Sequence, residues 1–249
     1  MPERADAITY IGHATVLIEL AGVRLLTDPL LGGVLHVRRQ PPAPAIDGLL
    51  PLDAILISHA HRDHLDRRSL RRLHARGPTI VPHGCADVAR RAGARQVIEL
   101  GAGDRTSVAG VMVEGIHAEH DGRRDPLSHP MTSLGYLLDG PERIYFAGDT
   151  DLFAGMSALA GRVDVALVPI WGWGPRLPAG HLNPARAAEA IARIRPRLAV
   201  PIHWGTLRAW GAQRGLDPAA PARAFADAVA HSAPDTEVRI LMPGQGTTL

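Results

Sequence analysis

Apolar and polar positions alternate with a period of two over residues 8–20 and again over 23–27, with Ala21-Gly22 between the two runs. Such alternation, rich in β-branched residues, predicts half-buried strands joined by a tight turn. Residues 36–51 contain Pro41, Pro42, Pro44 and Pro51 and read as a loop without regular structure. The run 54–58 is apolar up to Ser58, as in a strand covered on both faces, and it leads directly into a set of histidines. Asp66 suits the cap of a helix reaching about Arg76, with Leu70 and Leu73 inward and arginines outward. Further strands are expected over 79–82, 96–100, 105–118, 134–138, 143–147, 163–170, 198–202 and 237–242. Helices are expected over 86–92, 152–160 and 221–230, and from the Asn183-Pro184 start to the stop at Pro196. Strand-rich halves with helices between them favour two sheets packed together and flanked by helices, in one domain over 1–249.

Composition narrows the chemistry. The 27 basic residues are all arginine, against 25 acidic ones and 13 histidines. Without lysine, a Schiff base, a P-loop lysine and the Ser-x-x-Lys mechanism are excluded. One cysteine, Cys85, allows neither an internal disulfide nor a multi-cysteine metal site. The net charge is only +2, and the sequence shows no clustered basic stripe, which argues against a nucleic-acid partner. No apolar stretch approaches a membrane span, and Met1 to Asp6 lack a signal-peptide layout, so a cytoplasmic protein is expected.

Histidine and carboxylate carry the remaining chemistry. His59-Ala-His61-Arg-Asp63-His64 follows the apolar strand, and alternate residues of an extended segment point the same way, so His59 and His61 can share a metal. Nitrogen and oxygen donors without thiolate suit zinc, with manganese or iron as alternatives. Three other predicted strand ends carry His117-Ala-Glu-His120, Gly148-Asp149-Thr150 and His203-Trp204-Gly205. Any one of them alone says little; together they supply enough donors for two coordination shells.

The motifs Ile11-Gly-His13-Ala-Thr15, Thr27-Asp28-Pro29, Ser58 to Asp66, His120, Gly148-Asp-Thr150 and Pro201-Ile-His-Trp-Gly205 occur in this order. In this respect the chain resembles the metallo-β-lactamase fold hydrolases, above all the branch of L-ascorbate 6-phosphate lactonase and N-acyl phosphatidylethanolamine phospholipase D. The resemblance covers residues 11–205 and implies a four-layer αββα sandwich of two mixed sheets. It implies two divalent ions, most simply Zn2+: His59, His61 and His120 on one, Asp63, His64 and His203 on the other, and Asp149 bridging. His117 stays a rival to His120, because histidine stands where the branch has proline. Asp28 resembles the carboxylate that orients a ligand imidazole. A hydroxide bridging the ions would then cleave a small phosphodiester, lactone or related ester, with Asp63, Asp149 and His181 in catalytic roles. The common lactamases have cysteine where Asp149 stands, and flavodiiron oxidoreductases of the fold have glutamate where His61 stands, so hydrolysis of something other than a lactam is implied.

Substrate contacts are expected from Trp171 and Trp173 as pocket walls and from Arg123 and Arg124 as anion clamps. His13 is expected to be structural, and His36, His74, His83, His129 and His231 to be surface or capping residues. The partner is a small-molecule substrate, and nothing indicates an oligomeric state. Two other readings stay open: a nuclease of the same fold and a non-catalytic metal-stabilised scaffold.

Overall fold

The computed structural model describes residues 5–34, 37–42, 45–73, 75–125, 127–172, 177–209 and 217–249. In the first half, β1 (Ala7–Gly12), β2 (Thr15–Leu20) and β3 (Val23–Thr27) form an antiparallel meander. After β4 (Val37–Arg39) and the single turn α1 (Ile46–Leu49), the strands become parallel. β5 (Ala54–Leu56), α2 (Arg67–Arg72), β6 (Thr79–Pro82), α3 (Ala86–Arg91) and β7 (Val97–Leu100) follow.

The second half repeats the plan. β8 (Arg105–Val108), β9 (Val111–His117), β10 (Leu134–Asp139) and β11 (Arg143–Phe146) are antiparallel. β12 (Val165–Pro169), α4 (Pro184–Ile194), β13 (Leu198–Ile202), β14 (Leu207–Ala209), α5 (Ala220–Ser232), β15 (Glu237–Val238) and β16 (Gly246–Thr248) complete the chain. The strand orders are β16-β1-β2-β3-β5-β6-β7 and β15-β13-β12-β11-β10-β9-β8, with β4 and β14 as a separate pair.

Period-two alternation divides the core. Ala54 and Leu56 of β5, Val16 and Ile18 of β2, and Ile80 of β6 join one large cluster with the second sheet and with α4 and α5. Their neighbours Ile55, Leu17 and Val81 point the other way, onto Leu70 and Leu73 beside α2 and Val88 and Ala89 of α3. Each central strand is therefore covered on both faces, and the layers run α, β, β, α as the sequence led us to expect. Asp66 accepts from the amides of Arg68 and Ser69 at the start of α2, and Asn183 from that of Arg186 at the start of α4, with Pro184 in the first turn.

Several boundaries differ from expectation. The run 8–20 folds back at Gly12-His13, where both residues have positive φ, and 105–118 folds back at Ala109-Gly110 for the same reason. Residues 36–51 are not structureless, since β4 pairs with β14. The expected helix over 152–160 is a 3-10 turn, Ala154–Leu159. The expected strand 237–242 shortens to two residues, while β16 closes on β1. Among the described residues, no helix is long and apolar enough to cross a membrane.

Phe225 of α5 is fully buried in the large cluster. Phe225→Ala is expected to cost about 3–5 kcal/mol, seen as a lower urea midpoint at unchanged slope.

Candidate metal centre

Five strand ends deliver the polar side chains to one edge shared by both sheets. β3 leads into Asp28, β5 into Ser58 and His59, β11 into Gly148 and Asp149, β12 into Trp171, and β13 into His203. The two sheets are tied together there: the Leu134 amide donates to the Ser58 carbonyl at 2.9 Å, and the His203 amide donates to the His13 carbonyl at 2.7 Å. Gly148 is needed for this approach, because its φ is +61° and a Cβ would stand 2.5 Å from that of Ser58.

Four imidazoles have an outer partner at Nδ1. His64 meets Asp28 Oδ2 at 2.7 Å, His120 the Gly180 carbonyl at 2.8 Å, His203 the Trp171 carbonyl at 2.6 Å, and His59 the Ser58 hydroxyl at 2.9 Å. Ser58 donates its own proton to Asp28 Oδ2 at 2.5 Å, so His59 must be the donor in its contact with Ser58. His59, His120 and His203 thus spend an N–H outward and turn a Nε2 lone pair inward, and His64 turns its Nε2 the same way, toward Asp149.

What the inner nitrogens meet are other acceptors. His64 Nε2 and His203 Nε2 are 3.3 Å apart and lie 3.2 and 3.3 Å from the two oxygens of Asp149. His120 Nε2 faces His61 Nδ1 at 3.2 Å. His59 Nε2 is buried with no hydrogen-bond partner. One group of donor atoms comprises His59, His61 and His120; another comprises Asp63, His64, His203 and also His13; a third joins His120, Asp149 and His181. Acceptors aimed at acceptors in a buried space need a cation between them, so the donor set fits metal ions.

The electrostatics agree. Burial holds His59 well below its ordinary range, helped by His64 and His120. Burial likewise takes His61 down to about 4 and His203 to about 3, leaving neutral rings with free lone pairs. His64 is the exception. Burial would lower it, but Asp149, Asp28 and Asp63 together raise it well above its usual value. Burial also opposes the charge on Asp149, yet His203 and His64 hold that carboxyl well below the carboxylate range.

The structure brings together His59, His61, Asp63, His64, His120, Asp149 and His203, with Asp28 beneath them. His117 is not among them: it is exposed and pairs with Glu119 at 3.4 Å. His181 does reach the cluster, Nε2 lying 3.4 Å from Asp149 Oδ2. Arg123 and Arg124, expected as anion clamps, have partners within the chain. Arg123 is engaged by the exposed Asp121 at 2.6 Å, and Arg124 donates to the carbonyls of Ala60 and Leu65 at 2.9 and 3.0 Å. Their geometry secures loops. Trp171 contributes its carbonyl to His203, and Trp173 lies outside the described residues, as do His36 and His74. His13, expected to be structural, is buried, with Nε2 3.1 Å from Asp63 Oδ2. Its signal was its place in the Ile11–Thr15 motif, and Ser58 likewise stood in a motif without a role.

Over residues 23–204 the sequence matches the beta-lactamase superfamily domain. The chain belongs to the metallo-β-lactamase superfamily. Within the superfamily it is 31% identical over 225 residues to the N-acyl-phosphatidylethanolamine-hydrolyzing phospholipase D 1 of Caenorhabditis elegans, a match covering 80% of this chain and 63% of that one. It is 35% identical over 210 residues to a metal-dependent hydrolase of Opitutus terrae, covering 80% and 85%. The solved structure of a metallo hydrolase from Ignicoccus hospitalis superposes with a TM-score of 0.75 at 25% identity over 99% of both chains. The chain spans 63% of the length of the worm relative and 59% of that of a Mycobacterium bovis relative.

Asp28→Ala removes the acceptor of the Ser58 amide, the Ser58 hydroxyl and His64 Nδ1 at once. It is expected to destabilise the protein by about 3–5 kcal/mol, as when one member of a buried charged pair is deleted, measured by chemical denaturation. His13→Gly relieves a left-handed backbone (φ 58°) yet takes away one partner of Asp63. Folding stability should change little while metal affinity falls about 10- to 100-fold, read by chelator competition.

Proposed function

We propose that the protein is a dinuclear hydrolase of a small phosphodiester, lactone or related ester. The observation that carries this reading is the inward convergence of bare lone pairs on the two sides of Asp149. His59, His61 and His120 would hold one divalent ion, Asp63, His64 and His203 the other, with Asp149 shared between them. Zinc suits this nitrogen and oxygen set best, with manganese or iron as alternatives. Ions held there supply Lewis acidity and a water acidic enough to ionise near neutral pH, so no side-chain nucleophile is required.

The chain's own residues then have limited tasks. Asp28, Ser58, Gly180 and Trp171 fix the ligand rings so that no reorganisation is needed during the reaction. Asp63, held by His13 and partly exposed, is placed to take up and pass on a proton. His181, partly exposed beside Asp149, is placed to contact the substrate or its leaving oxygen. The name of the worm relative, a phospholipase D, supports a phosphodiester among the ester classes.

Purified protein should carry about two equivalents of divalent metal per chain, measured by elemental mass spectrometry. It should hydrolyse a chromogenic phosphodiester or lactone. Chelation should remove both metal and turnover, and zinc or manganese should restore them. Asp149→Asn should abolish turnover while the protein still folds; full activity in that variant or in metal-free protein would sink the reading.

A further inference from the structure

The arginines are unevenly spread along the chain. Residues 62–95 carry nine of the 27 arginines but only three acidic residues, Asp63, Asp66 and Asp87. The other 18 arginines face 22 of the 25 acidic residues, so the remainder of the chain is net negative. The fold gathers the excess on one side. Arg68, Arg71 and Arg72 of α2 and Arg90 and Arg91 of α3 are exposed, while Leu70, Val88 and Ala89 of the same helices face the core. The two helices pack on the same apolar cluster and approach at one point, where Arg71 Nη2 reaches the Arg91 carbonyl at 3.5 Å. Among the described residues the arginine ion pair on this side is Arg90 with Asp87, at 3.2 Å. The stripe escapes a linear reading because buried positions and β6 interrupt it, and it corrects the expectation that no basic cluster exists.

A second observation identifies what this face fits. Leu127 is 97% exposed, well above Met112 at 39% and Met242 at 42%. Its loop is fastened at one end by Arg124 to Ala60 and Leu65, and at the other by His129 Nε2, which donates to the carbonyl of Gly84, just ahead of α3. The leucine therefore stands on a loop held between the Arg62 segment and the residues just ahead of α3, at the leading ends of the two helices. Residues 62–95 contain no Trp, Tyr or Phe, so this face offers no stacking platform for bases. Guanidiniums beside one protruding aliphatic side chain match a lipid interface, with phosphates in the headgroup plane and hydrocarbon just below.

We propose that the α2–α3 face docks the protein peripherally on a membrane surface bearing anionic phospholipids, with Leu127 entering the interface. Docking depends on the charge of this face and on Leu127, and does not rest on the proposed reaction.

Flotation of the full chain with vesicles tests this. Mixed phosphatidylglycerol and phosphatidylcholine vesicles should carry the protein at low salt, pure phosphatidylcholine should not, and about 1 M salt, where the screening length is about 3 Å, should release it. Each arginine at the surface contributes roughly fivefold to partitioning. The double reversal Arg71→Glu with Arg91→Glu should therefore lower partitioning more than about twentyfold, with thermal melting unchanged. Leu127→Asp should weaken it several-fold and Leu127→Trp should strengthen it. Equal partitioning to neutral vesicles, or undiminished binding by the double variant, would overturn the proposal. So would a short nucleic-acid duplex that binds this face more tightly than the anionic vesicles do.

Discussion

Lone pairs that face one another across little more than 3 Å in a buried space repel unless positive charge lies among them. The inner nitrogens of His64, His120 and His203 are held in that arrangement because their outer nitrogens are already committed to Asp28, Gly180 and Trp171. Each partner comes from a different segment, so the pattern exists only when both sheets are assembled against each other. The carboxylates of Asp149, Asp28 and Asp63, which draw a proton onto His64, would draw a cation to the same spot. Proton and cation would compete there, so a metal taken up at His64 would displace a proton.

The backbone is bent to the same end. Among the described residues, six other than glycine have positive φ, and three of these, His13, Asp28 and His203, line the cluster. Such conformations cost about 1–3 kcal/mol each, and the surrounding hydrogen bonds offset the cost. The His13 amide donates to Thr206 Oγ1 at 2.7 Å, Thr15 donates its hydroxyl proton to the Asp28 carbonyl at 2.7 Å, and the His203 amide donates to the His13 carbonyl. Glycine would adopt these angles more cheaply. Retention of two imidazoles and a carboxylate is explained by what their side chains touch.

Much of this was legible in the sequence because each central strand announces itself by period and ends in a polar residue. The layers followed from the unbroken apolar run at 54–57, which marks a strand covered on both faces, and the histidines followed from their position at strand ends. The hairpins at Gly12-His13 and Ala109-Gly110 were not visible, since alternation runs through a tight turn without interruption. β4, β14 and β16 were missed because three-residue strands are defined by remote partners rather than by their own pattern. The choice between His117 and His120 was likewise tertiary: one faces solvent beside Glu119 and the other packs edge-on against His59 and His61. Ser58 and His13 were in view from the start, but their roles depend on Asp28 and Asp63 arriving from elsewhere in the fold.

The absence of lysine also acquires a structural meaning. A partly buried lysine can lose its proton and become neutral, whereas arginine stays charged and must find acceptors. Burial lowers the pKa of both Arg39 and Arg124 without neutralising them, and both turn to backbone carbonyls. Arg124 joins Ala60 to Leu65, enclosing the segment from His61 to His64. Arg39 joins the carbonyl of Leu30, two residues beyond Asp28, to that of Ile11, two residues before His13. A guanidinium donates in two directions from one rigid plane, so each of these side chains ties two acceptors at a fixed separation, a geometry that an ammonium on a flexible stem does not impose. The residues that bring donors to the cluster are thus braced from behind by the only cation type the chain contains.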